Sequence, residues 1–112
     1  MNYPDEQVAE LRQIVEGVHP CVEGGIQYFF LPKLRLPDGC SPSEVDALLC
    51  PTSHHGYTSR LFFSQRISLP TPRNWSTTAH ILGRNWEAIS WSFQQNGLSL
   101  AQILALHLRA FR

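Results

Sequence analysis

The sequence predicts a single α+β domain over residues 1–112, with helices on one side of an antiparallel sheet, and three observations lead there. Apolar residues recur at helical spacing only near the two ends of the chain. The stretch between them breaks into short β-branched and aromatic runs punctuated by Gly and Pro. Helices and strands are therefore segregated rather than alternating, which argues against a parallel βαβ sheet. A chain of this length removes roughly two-thirds of its unfolded surface from water, enough for one core.

Each element follows in order. From Pro4 to Glu16, Val8, Leu11, Ile14 and Val15 share a helical face; Pro4 is tolerated in a first turn, Asp5 and Glu6 suit the positive helix end, and Gly17 is a stop. Val18–Glu23 and Ile26–Leu31 read as strands around Gly24-Gly25, a pair that accepts the positive φ of a hairpin turn. Pro32, Pro37, Pro42 and the Asp38-Gly39 turn signal fill the connection to a strand over Val45–Cys50, closed by Pro51. A polar stretch leads through Tyr57 into a strand at Arg60–Ser64. Ser68–Asn74, with Pro70 and Pro72, reads as irregular, and Thr78–Leu82 and Trp86–Phe93 as extended. Ser99 is a candidate N-cap for a closing helix with Leu100, Ile103, Leu104, Leu108 and Phe111 on its apolar face and Arg109 and Arg112 in its last turn. Adjacent strand residues face opposite sides, so one member of Phe29-Phe30 and of Phe62-Phe63 is expected in the helix-packed core and the other against solvent or a partner.

Composition removes several classes of function. Nine Lys+Arg balance nine Asp+Glu, which excludes a generic basic nucleic-acid binder, whose affinity rests on neutralising several phosphates. No run approaches the ~20 apolar residues of a membrane span, and the first residues lack the pattern of a signal peptide, so a cytoplasmic protein that binds no membrane is expected. Cys21, Cys40 and Cys50 are odd in number and unevenly spaced, as for reduced thiols. No phosphate-cradling glycine loop, dinucleotide fingerprint or Gly-x-Ser-x-Gly elbow is present, and no cofactor is expected. Only 16% of residues are charged and 11% are aromatic, which predicts that some apolar surface meets a protein partner.

Four motifs carry a family resemblance: Leu36-Pro37-Asp38-Gly39-Cys40, Val45 through Pro51, Gly56-Tyr57-Thr58-Ser59-Arg60-Leu61-Phe62, and Ile81 through Trp86 with Ser90-Trp91. Their order resembles the ubiquitin-conjugating (UBC) fold, and more closely the bacterial UBC-like (prokaryotic E2-like) families encoded beside ubiquitin-like proteins and their activating enzymes. The resemblance implies a UBC-like α+β domain: an N-terminal helix, an antiparallel β-meander, an irregular stretch like that family's active site, and a C-terminal helix. It also implies two partners, a ubiquitin-activating-enzyme-like protein and a ubiquitin-like protein. Tyr57 and Arg60, with His54, His55 and Trp86, are the binding residues it suggests. In the family the transfer cysteine stands eight residues before the tryptophan; eight residues before Trp86 stands Thr78, and the His-Pro-Asn element is missing.

Transfer would therefore need a hydroxyl. Ser76, Thr77 and Thr78 lie in the matched region, His80 is the nearest base in sequence, and Asn74 could donate to an oxyanion. In an extended segment Thr78 and His80 share a face, which permits a Thr78–His80 pair. The same three hydroxyls also suit a polar turn that satisfies local backbone groups. Two subclasses of function follow: transfer through a Ser/Thr ester in place of a Cys thioester, and a catalytically silent UBC-fold scaffold. A binding module unrelated to conjugation is a further class. A metal-dependent hydrolase built on Cys50, His54, His55 and His80 ranks last, because the ligand spacing is irregular and no metal site is expected. His19 and His107 read as surface or half-buried residues, and Cys50 as a buried core thiol.

Overall fold

The computed structural model describes residues 3–52, 59–70, 73–89, 91 and 97–111. The chain begins with α1 (Asp5–Ile14), continues through β1 (His19–Glu23), β2 (Ile26–Arg35), β3 (Glu44–Cys50), β4 (Arg60–Phe63), β5 (Trp75–Ile81) and β6 (Arg84–Ile89), and closes with α2 (Leu100–Leu108) and a 3₁₀ turn (Arg109–Phe111). It is a compact α+β fold with two helices on a curled antiparallel sheet. Strand order is β1-β2-β3-β4-β6-β5, so the first four strands form a meander in chain order and the last two exchange places.

Local chemistry explains the strand boundaries. Gly24 and Gly25 (φ 60° and 79°) make the two-residue turn between β1 and β2. β2 runs past Pro32, where the sequence suggested an end, because a bulge between Leu31 and Leu34 absorbs the missing donor. Lys33 there adopts φ 52°, and its N–H donates to Asp46 Oδ1 of β3 at 3.0 Å. β5 likewise starts earlier than expected, at Trp75, so Ser76 and Thr77 belong to a strand and not to a polar turn. Its hairpin with β6 turns on Leu82-Gly83, both at positive φ (54° and 74°). Phe93, expected to end the following strand, lies outside the described residues. Ser99 caps α2 as expected: its side chain accepts from the Gln102 N–H, and the Gln102 side chain accepts from the Ser99 N–H, a reciprocal box that satisfies two free helix donors.

Two apolar clusters lie on the two faces of the sheet. Leu11, Phe29, Leu31, Leu49, Phe63, Leu100, Leu104 and Phe111 join both helices to one face. Tyr28, Leu48, Cys50, Phe62, Ile81, Trp86 and Ala88 fill the other. The alternation expected for the phenylalanine pairs is present, since Phe29 and Phe63 face the helices. The second members are not on an open surface, however: Phe62 is 0% exposed, and Phe30 is half-buried against the second cluster. No described helix covers that face. The sheet curls over it instead, bringing Ala79 and Ile81 of β5 onto the same cluster as residues of β2. At one end Glu23 of β1 accepts the Leu82 N–H at 3.0 Å. Over the rim lies Arg84, 4.8 Å from the Trp86 ring centroid and 5.9 Å from that of Phe30, with its guanidinium 3.7 Å from Asp46.

Candidate functional site

Thr78 sits in the middle of β5, directly opposite Glu87 of β6. Its hydroxyl donates to Glu87 Oε2 at 2.5 Å, and the Arg66 Nε–H donates to Glu87 Oε1 at 3.1 Å. His80 stands opposite Asn85, with Nδ1 2.9 Å from Asn85 Oδ1. Thr78, His80 and Asn85 are exposed and Glu87 is half-buried. The expected Thr78–His80 pair is therefore replaced by two cross-strand pairs. Residues two apart on a strand lie ~6.6 Å from each other, whereas directly opposite side chains approach to ~5 Å, so each polar group takes the partner across the ladder.

The remaining sequence candidates are dispersed. Ser76 and Thr77 lie beside a register shift between Trp75 and Thr77, and their side chains are outside the described part of the structure. Asn74 is exposed just before that strand. His54, His55 and Tyr57 lie outside the described residues. Two expected binding residues are interior. Arg60 is 2% exposed; it donates from Nη2 to the Ile89 carbonyl at 3.0 Å and so braces β4 against β6. Trp86 is fully buried, with Nε1–H donating to the Ile81 carbonyl at 3.0 Å. Neither presents a side chain to a partner, because the curled sheet needs both inside.

None of the three thiols is activated. Burial pushes the Cys21, Cys40 and Cys50 thiols up, against thiolate formation at neutral pH. Cys50 lies in the second cluster, as the sequence suggested, with its thiol 3.5 Å from the Thr52 carbonyl. His80 projects from the opposite sheet face, so Cys50 and His80 cannot share a metal. Among the described residues no three His, Cys, Asp or Glu side chains gather as a metal would require.

A second polar constellation was not anticipated. His107 of α2, expected at the surface or half-buried, is buried, with Nε2 2.7 Å from Oγ of Ser59, which is buried too. Burial, aided by the Arg60 guanidinium, lowers its pKa from 6.5 to about 3 and keeps the ring neutral. In residue types this is a nucleophile and a base, but no substrate reaches a pair buried on both sides. What it does is tie α2 to the start of β4. The crevice between α1 and the β1–β2 edge, about 370 Å³ and walled by Tyr3, Arg12, Gln27 and Phe29, contains none of the candidate residues.

Compared with protein-family models, with curated proteins and with solved structures, the chain matches none. No helix among the described residues is long and apolar enough to cross a membrane.

Proposed function

We propose that the chain is a UBC-like component of a bacterial ubiquitin-like conjugation pathway, one that positions a ubiquitin-like protein or its activating enzyme by non-covalent contact. The observation that carries this reading is the order of elements: a helix, four strands bonded in chain order, the β5–β6 hairpin, and a closing helix. Within that order Leu36–Cys40 forms the β2–β3 connection, Val45–Cys50 belongs to β3, and Arg60–Phe62 to β4. The raised thiols favour positioning over thioester transfer.

Ester transfer at Thr78 is the second reading, favoured by the hydrogen bond that its hydroxyl donates to Glu87. In that step the Thr78 oxygen attacks the carbonyl of a C-terminus held as a thioester on the activating enzyme. Its proton passes to Glu87, and the enzyme's thiolate leaves.

The test mixes the purified chain with its cognate ubiquitin-like protein, the activating enzyme and ATP, followed by intact mass spectrometry and a binding titration. Saturable binding without an adduct is the expected result. An adduct that resists thiol, yields to hydroxylamine and disappears in Thr78→Ala would establish the ester. A thiol-sensitive adduct lost on mutating Cys40 or Cys50 would overturn the placement of the site, and absence of any binding would remove conjugation altogether.

A further inference from the structure

β5 is the outer strand of the sheet: β6 bonds one side, and no described strand lies beyond the other. The direction of its backbone groups follows from the hairpin. Ile81 and Arg84 flank a two-residue turn, so they exchange both backbone bonds, and bonded pairs alternate from there. Ile81 and Ala79 thus turn their N–H and C=O groups toward β6, and His80 and Thr78 turn theirs outward. Leu82 has the same parity, and its N–H does point away from β6, to Glu23 Oε1 at 3.0 Å. That outward donor is covered. Those of His80 and Thr78 meet no described group.

Natural sheets guard open edges with charges, prolines, short strands or bulges. β1, the opposite edge, has Pro20, which lacks a donor, and the charged Glu23 within five residues. Over Trp75–Ile81, β5 has neither a proline nor an Asp, Glu, Lys or Arg, and its one irregularity lies at its start, between Trp75 and Thr77.

We infer that this edge pairs with the same edge of a second copy of the chain, antiparallel about a two-fold axis at Ala79. A strand meeting its own image repels itself wherever like charges face each other, and β5 carries no carboxylate, lysine or arginine to do so. With the axis at Ala79, Thr78 of one copy stands opposite His80 of the other. All four outward-pointing residues then exchange backbone bonds, and the smallest side chain of the strand lies at the centre. Glu23 over Leu82 ends the pairing beyond Ile81, so the interface is short and the dimer weak. The inference does not rest on the conjugation reading.

Sedimentation equilibrium of the full chain, from low micromolar to submillimolar concentration, tests it together with amide hydrogen exchange. The mass is expected to rise from 12.7 kDa toward twice that value. Protection at Thr78 and His80 should grow with the dimer fraction, while Ala79 and Ile81 stay protected throughout. His80→Pro removes an outward donor, and Thr78→Lys sets a cation near its image. Each should weaken the dimer about tenfold or more, because the two-fold axis makes every change count twice. A melt of each variant under monomeric conditions verifies its fold, and either variant alone suffices. A mass fixed at that of one chain, or a dimer in which the Thr78 and His80 amides exchange as in the monomer, would overturn the inference.

Discussion

The buried His107 makes acid sensitivity a direct test of the packing between α2 and β4. Its folded pKa is about 3 against 6.5 for the free side chain, lowered first by burial and then by Arg60. Above pH 6.5 the ring is neutral in both states and pH has no leverage through it. Below 6.5 the unfolded chain takes up a proton that the folded chain refuses, so stability falls as pH drops, until the folded ring itself protonates near pH 3. The slope is about 1.4 kcal/mol per pH unit, which amounts to about 2.7 kcal/mol two units below 6.5. That is a large share of the roughly 5–15 kcal/mol that holds a typical domain folded. Urea unfolding at about pH 7.5 and about pH 4.5, for the wild type and for His107→Gln, isolates the contribution. Glutamine can still bond Ser59 but does not titrate, so the variant should lose about 2–3 kcal/mol less on acidification. Equal losses in the two proteins would refute a buried, neutral His107. So would a ring proton resonance for this residue that titrates between those two pH values.

Further expectations follow from the sheet and its caps. Trp86→Ala should destabilise by about 3–5 kcal/mol in urea unfolding, because no described helix lies over the second cluster to collapse into the cavity. Ser99→Ala should cost about 1 kcal/mol by the same assay through loss of the α2 capping box. Leu82→Asn should raise stability by up to about 1 kcal/mol, since asparagine tolerates the left-handed backbone that leucine occupies at φ 54°.

The elements resting on periodicity and turn chemistry were open to reading: α1, the Gly24-Gly25 hairpin, β3 and the Ser99-capped α2. Pro32 suggested the end of β2, but a bulge together with Asp46, thirteen residues beyond Lys33, carries the strand through. Only the tertiary pairing reveals that compensation. Ser76-Thr77-Thr78 could suit a turn or a strand, and pairing with β6 decides for the strand, where threonine packs well. The closure of the second sheet face depends on how far the sheet curls, a property of all six strands that no single segment encodes. Two site residues were within reach. With Leu82-Gly83 as a two-residue turn, strand register places Glu87 opposite Thr78 directly; leucine at a left-handed position conceals that turn. His107 follows Leu100 by seven residues and Leu104 by three, on the apolar stripe of α2, a spacing that marks burial whatever the side chain.

The Thr78–Glu87–Arg66 chain separates chemistry from architecture. Cross-strand pairs on an exposed ladder contribute roughly 0.2–1 kcal/mol, and the Arg66–Glu87 ion pair, with Arg66 largely exposed, lies in the same range and weakens with salt. A double-mutant cycle of Thr78→Val and Glu87→Gln should therefore give a coupling of about 0.5–1 kcal/mol in urea unfolding, smaller at high salt. Valine keeps the branched shape and glutamine keeps an acceptor oxygen, so neither change disturbs the strand. If the pair only braces the hairpin, binding to a ubiquitin-like protein or to an activating enzyme will be the same in both variants and in the wild type. If Glu87 takes the Thr78 proton during acyl transfer, adduct formation will fall in Glu87→Gln although the nucleophile and the fold remain. Rescue of that loss at raised pH, where solvent hydroxide can replace the carboxylate, would identify a base and not a brace. A coupling near zero would mean that the carboxylate's charge adds nothing to the Thr78 hydrogen bond in solution, and it would remove the one observation that favours ester transfer over positioning.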